Sequence, residues 1–512
     1  MTTPAILAID QGTTNSKAVL VDLDGRIIAR GTSPLGCHYP RSGWVEQDAL
    51  EIVASVQRAV DACLAEAAGF EVVALGISSQ RESAVAWSAS NGEPLAPVIS
   101  WQCRRSQPFC EQLQSDGLNA RIQQLSGLPI DPLFSGSKFR WLLDAMPADV
   151  PGEDIRLGNV DSWLLWNLTD GAAHLTDASN ASRTQLCAIE SGQWSPELLD
   201  IFGIPEALLP RICPSRHEFG NSCVFGSLPE DTPILSMVGD SHAALFAQGG
   251  FRPGIVKATY GTGSSVMTMT GQRRLEAEGL ASTIAWQTGQ ECTYALEGNI
   301  TVSAAILPWT ARLLGIDSSI DKNSIDKLAE LAASAEEDGS EVLVPAMVGL
   351  GAPRWIGNLS GLLDGLSFNT GPEHVARAAF ESIVFQIKDV VDVMQVAGHS
   401  QGLPPLSALK ADGGASANDW LMQLQADTLA IDVQRARQAE LSALGAALLA
   451  GWQLGHWTTL EQLDQVVSSF DTFTYGADTH SMERHQNWLA SVERTLSHLD
   501  SSTRIDSRGV RQ

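Results

Sequence analysis

The sequence predicts an α/β protein built from two domains, and three observations support this. The chain has 512 residues, too many for a single hydrophobic core. Predicted strands alternate with amphipathic helices, which is typical of open α/β sheets. A strand, Gly/Thr loop, strand pattern near the N-terminus recurs about 250 residues later, which indicates an internal duplication with one phosphate-binding loop per half and a nucleotide cleft between the halves.

Composition excludes several classes of protein. Apolar residues make up 44% and charged residues 18% of the chain, as in globular proteins. A net charge of -26 disfavours binding to nucleic acid or anionic membranes. No apolar run is long enough for a membrane span, and the N-terminus lacks the basic region of a signal peptide. The eight cysteines form no CxxC motif or His/Cys cluster, so we expect a reduced, cytoplasmic protein without zinc or disulfides.

The N-terminal pattern consists of apolar runs at residues 5–9 and 18–21 that flank a polar loop at 10–17. The loop contains a glycine, hydroxyl and amide side chains, and a lysine. Backbone N–H groups and hydroxyls in such a turn can bind phosphate, and the carboxylate of Asp10 suits a hydrated divalent cation. An ordinary polar hairpin is the alternative interpretation.

The next predicted units are a helix and a strand that ends in polar residues. Leu50, Val53, Val56, Val60 and Leu64 recur at helical spacing, and residues 71–77 form a strand-like run. Arg81 and Glu82 follow that strand, where ligands collect in open α/β sheets. They are either part of a site or a surface ion pair. Trp101 is either a core residue or a surface on which a ligand stacks.

A second strand-to-helix turn contains Asp240. Residues 234–238 form an apolar run, and a helix rich in small residues follows at 243–248. This turn would place the Asp240 carboxylate at the mouth of a cleft, although Asp240 could instead cap its helix. The Gly/Pro-rich segment 249–254 is the best domain boundary. We therefore expect domains at 1–250 and 251–499, followed by a frayed tail at 500–512.

The second half repeats the opening pattern. Strands are predicted at 255–260 and 266–270, and a long helix begins near Pro372. A strand then leads into the turn that contains Gly414 and a helix whose start resembles a Ser416–Asp419 capping box. Glycines in this turn let a ligand approach bare backbone, although a simple Gly-Gly loop would have the same sequence. The small residues at 441–451 suit a helix packed closely against a sheet.

Several motifs together resemble those of the FGGY carbohydrate kinases, most closely the glycerol kinase branch. They are IDQGTTNSK, GISSQRES, WQCRR, VDSWLLWNLT with TDASNASRT, GDSHAALF, YGTGSS, GLGAPRW and LKADGGASANDWLMQLQAD, in family order from about residue 4 to residue 456. The resemblance implies two actin-like (ribonuclease H-like) α/β domains. It also implies an enzyme that uses ATP and Mg²⁺ to phosphorylate a polyol or sugar bound deep in the cleft.

The resemblance also assigns roles to individual residues. Asp240 would be the general base that accepts the proton of the attacking hydroxyl, and Asp10 would hold Mg²⁺ through water. The residues expected to contact the nucleotide are Thr13, Thr14, Asn15, Lys17, Thr262, Gly414 and Asn418. Arg81, Glu82, Trp101 and Asp240 would line the substrate site.

Three expected substrate-site residues differ from the glycerol kinase pattern. Leu133 replaces a Tyr, Ser241 a Gln and Ser265 a Phe. Smaller side chains predict a wider pocket that glycerol would leave partly empty. We therefore expect a polyol or sugar of about four to six carbons, phosphorylated at a primary hydroxyl.

Four further positions depart from the pattern. On the nucleotide side, Ala304 and Pro308 stand where Gly and Gln are usual, and Lys17 where Arg is usual. Cys103 stands in place of Asp. Sequence patterns alone do not explain the cysteine.

Two alternatives to a glycerol kinase-like enzyme remain. One is a ketopentose kinase that resembles xylulokinases, although Arg81, Glu82 and the TDASNASRT segment favour the glycerol kinase side. The other is an actin-like ATPase that couples ATP to partner binding without kinase activity. Such a protein has no need of a polyol pocket, which argues against this alternative. The resemblance also makes a homodimer plausible.

Overall fold

The computed structural model describes residues 2–316, 323–336, 339–357, 359–466, 469–476 and 480–506, with side chains up to residue 497. The predicted two-part α/β architecture is confirmed. Within these residues, thirteen strands form one sheet in the order β23-β22-β21-β15-β16-β18-β17-β13-β14-β5-β1-β2-β3, and helices pack against its faces.

The strands are β1 (Thr3–Gln11), β2 (Asn15–Asp22), β3 (Ile27–Pro34), β4 (Glu46–Gln47), β5 (Phe70–Ser79), β6 (Val85–Ser88), β7 (Val98–Ile99), β8 (Ile155–Gly158), β9 (Leu175–Asp177), β10 (Cys187–Ala188), β11 (Gln193–Trp194), β12 (Arg211–Cys213), β13 (Arg216–Asn221), β14 (Pro233–Gly239), β15 (Ile255–Tyr260), β16 (Ser264–Gly271), β17 (Ala281–Thr288), β18 (Glu291–Ile300), β19 (Val342–Val344), β20 (Leu362–Asp364), β21 (Ala408–Asp412), β22 (Asp432–Ala436) and β23 (Phe470–Phe473). The helices are α1 (Ala49–Ala65), α2 (Gln107–Ser115), α3 (Asn119–Ser126), α4 (Ser135–Asp144), α5 (Val160–Leu168), α6 (Ala178–Ala181), α7 (Pro196–Phe202), α8 (Asp240–Ala247), α9 (Ile306–Leu313), α10 (Ser324–Ala333), α11 (Pro372–Ser400), α12 (Asp419–Leu429), α13 (Leu441–Gln453), α14 (Leu460–Val466) and α15 (His480–Asp506).

The two halves of the sheet have the same strand arrangement. In the first half, β1 forms a hairpin with β2, and β5 and then β14 add in parallel on the other side of β1. In the second half, β15 forms a hairpin with β16, and β21 and β22 add in parallel. This arrangement supports the duplication inferred from the repeated sequence pattern. Strand β13, which pairs with both β14 and β17, joins the halves.

Helix α13 belongs to the second half of the sequence but packs on the sheet of the first. Its small residues allow the close approach that the sequence predicts. The Ser236 hydroxyl donates to the carbonyl of Ala446 at 2.7 Å, and a Cβ added at Gly76 would lie 2.6 Å from the same oxygen. A Cβ at Gly445 would lie 2.0 Å from the carbonyl oxygen of Ala243 in α8. A side chain larger than hydrogen cannot fit at either glycine without movement of the backbone.

Several local predictions are wrong in detail. The first hairpin loop contains only residues 12–14, because Asp10 and Lys17 face each other within the β1–β2 ladder. Helix α12 is capped by Asn418, whose side-chain oxygen accepts the amide N–H of Leu421 at 2.9 Å. Ser416 instead lies in the preceding 3₁₀ turn and donates to the carbonyl of Gly413. The predicted Ser416–Asp419 capping box is therefore absent.

The C-terminal helix α15 extends into the segment expected to be a frayed tail. Residue 499, the expected end of the second domain, lies within α15, while residues 507–512 of the expected tail lie outside the described residues. The domain limits at 250 and 499 remain predictions. Among the described helices, none is both long and apolar enough to cross a membrane.

Candidate active site

The parallel strands of each half end at the same edge of the sheet, and the predicted site residues Asp10, Arg81 and Asp240 lie at or just after these ends. Asp10 in β1 pairs with Ser78 in β5, and Ser79 pairs with Gly239 in β14. Arg81 and Asp240 therefore follow adjacent strand ends. In the second half, Thr259 and Asp412 are paired on β15 and β21, immediately before the two glycine turns.

Asp10 is a partly buried carboxyl group. Burial and the neighbouring Asp240 carboxylate raise the pKa of Asp10 to about 7, although Lys17 and a 3.0 Å hydrogen bond from Ser78 act in the opposite direction. A nearby cation would favour the ionised form.

Asp240 is the first residue of α8, and Gly239 occupies the cap position. Its Oδ1 accepts hydrogen bonds from Arg81 Nε at 3.1 Å and from the Ser241 amide at 2.6 Å. The side chain is 35% exposed, whereas that of Arg81 is 6% exposed. A buried guanidinium thus holds one oxygen of a carboxylate that solvent can reach.

Arg81 also binds Glu297 in β18 through a two-pronged ion pair. Both terminal nitrogens of Arg81 lie 2.9 Å from the Glu297 oxygens, and Arg183 Nη1 lies 2.7 Å from Glu297 Oε2. Burial alone would raise the pKa of Glu297, but Arg183 and Arg81 outweigh burial and hold that pKa well below its usual range. Glu297 is therefore an anion in the protein interior.

Glu82 adopts a left-handed backbone conformation with a φ of 61°. This conformation is uncommon for a residue with a side chain, and such strain is concentrated at functional sites. The Glu82 carboxylate accepts a 2.6 Å hydrogen bond from Arg183 Nε, and the Arg183 side chain is fully buried. Arg183 thus connects Glu82 to Glu297. We call Arg81, Glu82, Arg183, Asp240 and Glu297 the Arg–carboxylate network.

Trp101 is not a fully buried core residue. Its ring is only partly buried, and Nε1 donates to the Thr13 hydroxyl at 2.9 Å. This bond connects the predicted substrate wall to the first hairpin loop. Thr14 is exposed, and Asn15 donates to its hydroxyl at 3.2 Å. Leu133 is partly buried beside Phe134. The described hydrogen bonds of its backbone go to residues outside the Arg–carboxylate network.

The nucleotide-side residues of the second half lie on two neighbouring turns. Thr262 is exposed, and its carbonyl accepts the Ser303 amide at 2.8 Å. The backbone amide of Ala304 donates to the Gly261 carbonyl at 3.0 Å, a contact that does not depend on the side chain at this position. Gly414 is exposed at the start of the 3₁₀ turn that precedes Asn418.

Two side-chain contacts join residues from the two halves of the sequence. Lys17 Nζ lies 2.7 Å from a carboxylate oxygen of Glu440, which precedes α13. Gln248, at the end of α8, donates to Asp412. Lys17 and Gln248 of the first half of the sequence are thus each bound to an acidic residue of the second half.

Two substitutions relative to the family pattern have visible contacts. The Ser265 hydroxyl donates to Glu297 Oε1 at 2.7 Å, so it belongs to the polar surroundings of Glu297. Cys103 is buried, and its sulfur accepts a 3.0 Å hydrogen bond from Arg105 Nε. The thiol therefore serves as a weak acceptor for Arg105, which also binds Glu46 at 2.7 Å.

Sequence reasoning missed Arg183 and Glu297. Arg183 is the second-last residue of the TDASNASRT segment, and Glu297 interrupts an apolar strand at an inward position. A charged residue in a buried strand is a signal for a paired ion. That signal does not identify the partner, because Arg81 and Glu297 are 216 residues apart in the chain.

Both halves of the chain are similar to known proteins. Residues 5–247 match the N-terminal domain of the FGGY family of carbohydrate kinases, and residues 256–454 match its C-terminal domain. The apulose kinase of Pectobacterium atrosepticum is 43% identical over 96% of this chain and 99% of its own length. A glycerol kinase of Symbiobacterium thermophilum is 42% identical over 96% of this chain and 98% of its own length.

A solved structure gives the same result. Plasmodium falciparum glycerol kinase with ADP superposes with a TM-score of 0.88 at 28% identity, covering 97% of this chain and 99% of that chain. The resemblance expected from the motifs is thereby confirmed, and with it an ATP-dependent sugar or polyol kinase rather than an ATPase without kinase activity. The chain belongs to the FGGY family of carbohydrate kinases.

Proposed function

We propose that this kinase transfers the γ-phosphate of ATP to a primary hydroxyl of a polyol or sugar of about four to six carbons, with Asp240 as general base. The supporting observation is the environment of Asp240. Arg81 and the Ser241 amide both bind Oδ1, which leaves Oδ2 for the proton of a substrate hydroxyl. The partial exposure of this side chain gives a substrate access to it.

The substrate would lie between the Arg–carboxylate network and Trp101. Glu82 and Asp240 would accept hydrogen bonds from substrate hydroxyls, and Arg81 would donate a hydrogen bond to a substrate oxygen. The face of Trp101 would pack against the carbon chain. The hydrogen bond from Trp101 to Thr13 supports this placement, because it links the substrate wall to the loop proposed to hold phosphate.

ATP would bind between the first hairpin loop and the two glycine turns of the second half. Thr13, Thr14, Asn15 and Lys17 would face its phosphates, and the second-half residues that contact the nucleotide would be Thr262, Gly414 and Asn418. Donors from both edges can stabilise the charge that develops on the transferred phosphoryl group.

The surroundings of Asp10 fit Mg²⁺. The described residues contain no group of three or more His, Cys, Asp or Glu side chains able to hold a metal. Mg²⁺ is usually held by one or two carboxylates, water and substrate phosphates, so a single carboxylate is sufficient. Asp10 would hold the ion through water, and the bound ion would neutralise phosphate charge.

The proposal also specifies the size of the substrate. Leu133, Ser241 and Ser265 replace larger family side chains, and the hydroxyl of Ser265 presents a polar surface beside Glu297. Relatives named apulose kinase and glycerol kinase are almost equally similar to this chain. Apulose is therefore a candidate substrate beside the four- to six-carbon polyols. The longest of these candidates has about twice as many carbons as glycerol.

The deciding experiment is a coupled ADP-release assay with glycerol, apulose, four- and five-carbon polyols, ketopentoses and ketohexoses. We expect one longer compound to exceed glycerol at least tenfold in kcat/KM, roughly the discrimination gained from one filled pocket position. Asp240→Asn should reduce its turnover by about 10²–10⁴-fold while ATP still binds. Unchanged turnover of Asp240→Asn would refute the base assignment.

The double variant Leu133→Tyr with Ser265→Phe tests the pocket separately. It restores two family side chains, so preference should move toward glycerol. Preference for glycerol in the unmodified protein, or no shift in the variant, would contradict the enlarged pocket and leave the kinase assignment intact.

The proposed setting is a reducing cytoplasm, with a homodimer as the assembly. The cysteines, all present as thiols, support the first assignment, and the family resemblance supports the second. Light scattering of the purified protein would test the dimer.

A further inference from the structure

We propose that Glu297 is a positioning residue for phosphoryl transfer, and that it acts from the second half of the chain by holding Arg81 against Asp240. The inference rests on the proposed function, because it takes Asp240 to be the base. Glu297 itself is fully buried and separated from Asp240 by Arg81, so it is not a catalytic residue.

The geometry gives Glu297 control over the orientation of Arg81. Both terminal nitrogens of Arg81 are bound to the two Glu297 oxygens, which fixes the plane of the guanidinium. The remaining nitrogen of that plane, Nε, then points to Asp240 Oδ1. Rotation of the guanidinium would lose either the ion pair or the bond to Asp240.

Glu297 is itself held from several sides. Arg183 Nη1 lies 2.7 Å from Oε2, while Ser265 and Asn299 donate to Oε1 at 2.7 and 3.1 Å. Arg183 also binds Glu82, so the same carboxylate orients both proposed substrate contacts that follow β5. A buried carboxylate with this many donors has little freedom to move.

The test compares Glu297→Gln with Glu381→Gln. Glu381 is also a buried carboxylate between two arginines, Arg377 and Arg484, but it lies in α11 and contacts none of the Arg–carboxylate network. Both variants should unfold at lower temperature, since each leaves arginines without their partner. Only Glu297→Gln should lose kcat, by a factor on the order of 100, with KM for ATP unchanged.

A double variant separates positioning from general damage. If Glu297 acts through Arg81, then Glu297→Gln should cause little further loss in an Arg81→Gln background. Assays would use ATP, Mg²⁺ and the panel compound of highest kcat/KM, glycerol included, below the unfolding temperature of each variant. Losses that multiply in the double variant would overturn the proposal, as would equal kcat values for Glu297→Gln and Glu381→Gln.

Glu297→Asp covers the case in which Glu297→Gln does not fold. It retains the charge but shortens the side chain, so it cannot keep the two-pronged contact with Arg81. We expect a kcat loss of about tenfold, and native kcat in this variant would also overturn the proposal. Activity of the unmodified protein and its loss in Asp240→Asn test the proposed function independently, so failure of one proposal is distinguishable from failure of the other.

Discussion

At the scale of single residues, the partly buried carboxyl group of Asp10 carries an electrostatic cost in the free protein. Its pKa is raised from 3.8 to about 7. The folded state therefore keeps this proton to higher pH than the unfolded chain. The protonated carboxyl group therefore contributes stability to the folded state that is complete below about pH 4. This contribution is lost as the pH rises to about 7.

Asp10→Asn should remove this pH dependence. The amide does not ionise, so the ligand-free variant should be more stable than the unmodified protein at pH 7.5, by ~1–4 kcal/mol, and inactive. Asp161→Asn is the matched control, because burial raises the pKa of Asp161 to about 7 as well. It should gain similar stability and keep activity. Urea unfolding at several pH values measures both, and an unchanged pH dependence in Asp10→Asn would contradict the electrostatic argument.

At the scale of elements, the turn before α12 contains two glycines with different requirements. Gly413 has a φ of 90°, and an added Cβ would lie 2.6 Å from the carbonyl oxygen of Tyr260. A Cβ on Gly414 would meet no described atom within 4 Å. The first glycine is therefore required by the fold, while the second leaves space beside the proposed nucleotide site.

Gly414→Ala should raise KM for ATP by roughly three- to tenfold without lowering the melting temperature, because its methyl group would occupy space proposed for the nucleotide. Gly413→Ala should instead cost about 1–3 kcal/mol of stability through backbone strain. Steady-state kinetics and thermal unfolding of both variants measure the contrast. An unchanged KM for ATP in Gly414→Ala would remove Gly414 from the nucleotide site.

At the scale of the whole molecule, the Lys17–Glu440 ion pair joins a residue of the first hairpin to the start of helix α13, which comes from the second half of the sequence. Lys17 is 34% exposed and Glu440 17% exposed, so the pair is partly screened by water. In the proposed complex, Lys17 faces a phosphate and must at least share its charge with that ligand. Glu440 therefore competes with ATP.

Glu440→Gln should lower KM for ATP by about two- to fivefold, which corresponds to the modest strength of a partly exposed pair. The effect should shrink as ionic strength rises, because salt already weakens the competing pair. Lys17→Gln is the opposite control and should raise KM. A higher KM in Glu440→Gln would mean that the pair positions Lys17 for ATP instead of competing with it.

The sequence could predict the fold because its signals are local. Strand and helix periodicity identified the α/β alternation and the repeated hairpin. The same reasoning made the first loop too long, because Asp10 and Lys17 are polar residues within a ladder. It could not find the pairing of Arg81 with Glu297, since no local pattern connects residues so distant in the chain.

The first half of the sheet depends on a helix and a carboxylate from the second half of the sequence, and this limits where the gene can be divided. A fragment ending at residue 250 would lack helix α13, which covers its sheet, and Glu297, which neutralises Arg81 and Arg183. It would expose an apolar surface and leave two guanidinium groups in the interior with too few carboxylates. The duplicated halves are thus not independent modules. When the gene is split, grafted between relatives or recombined at this boundary, the two fragments must come from sequences whose contact residues match.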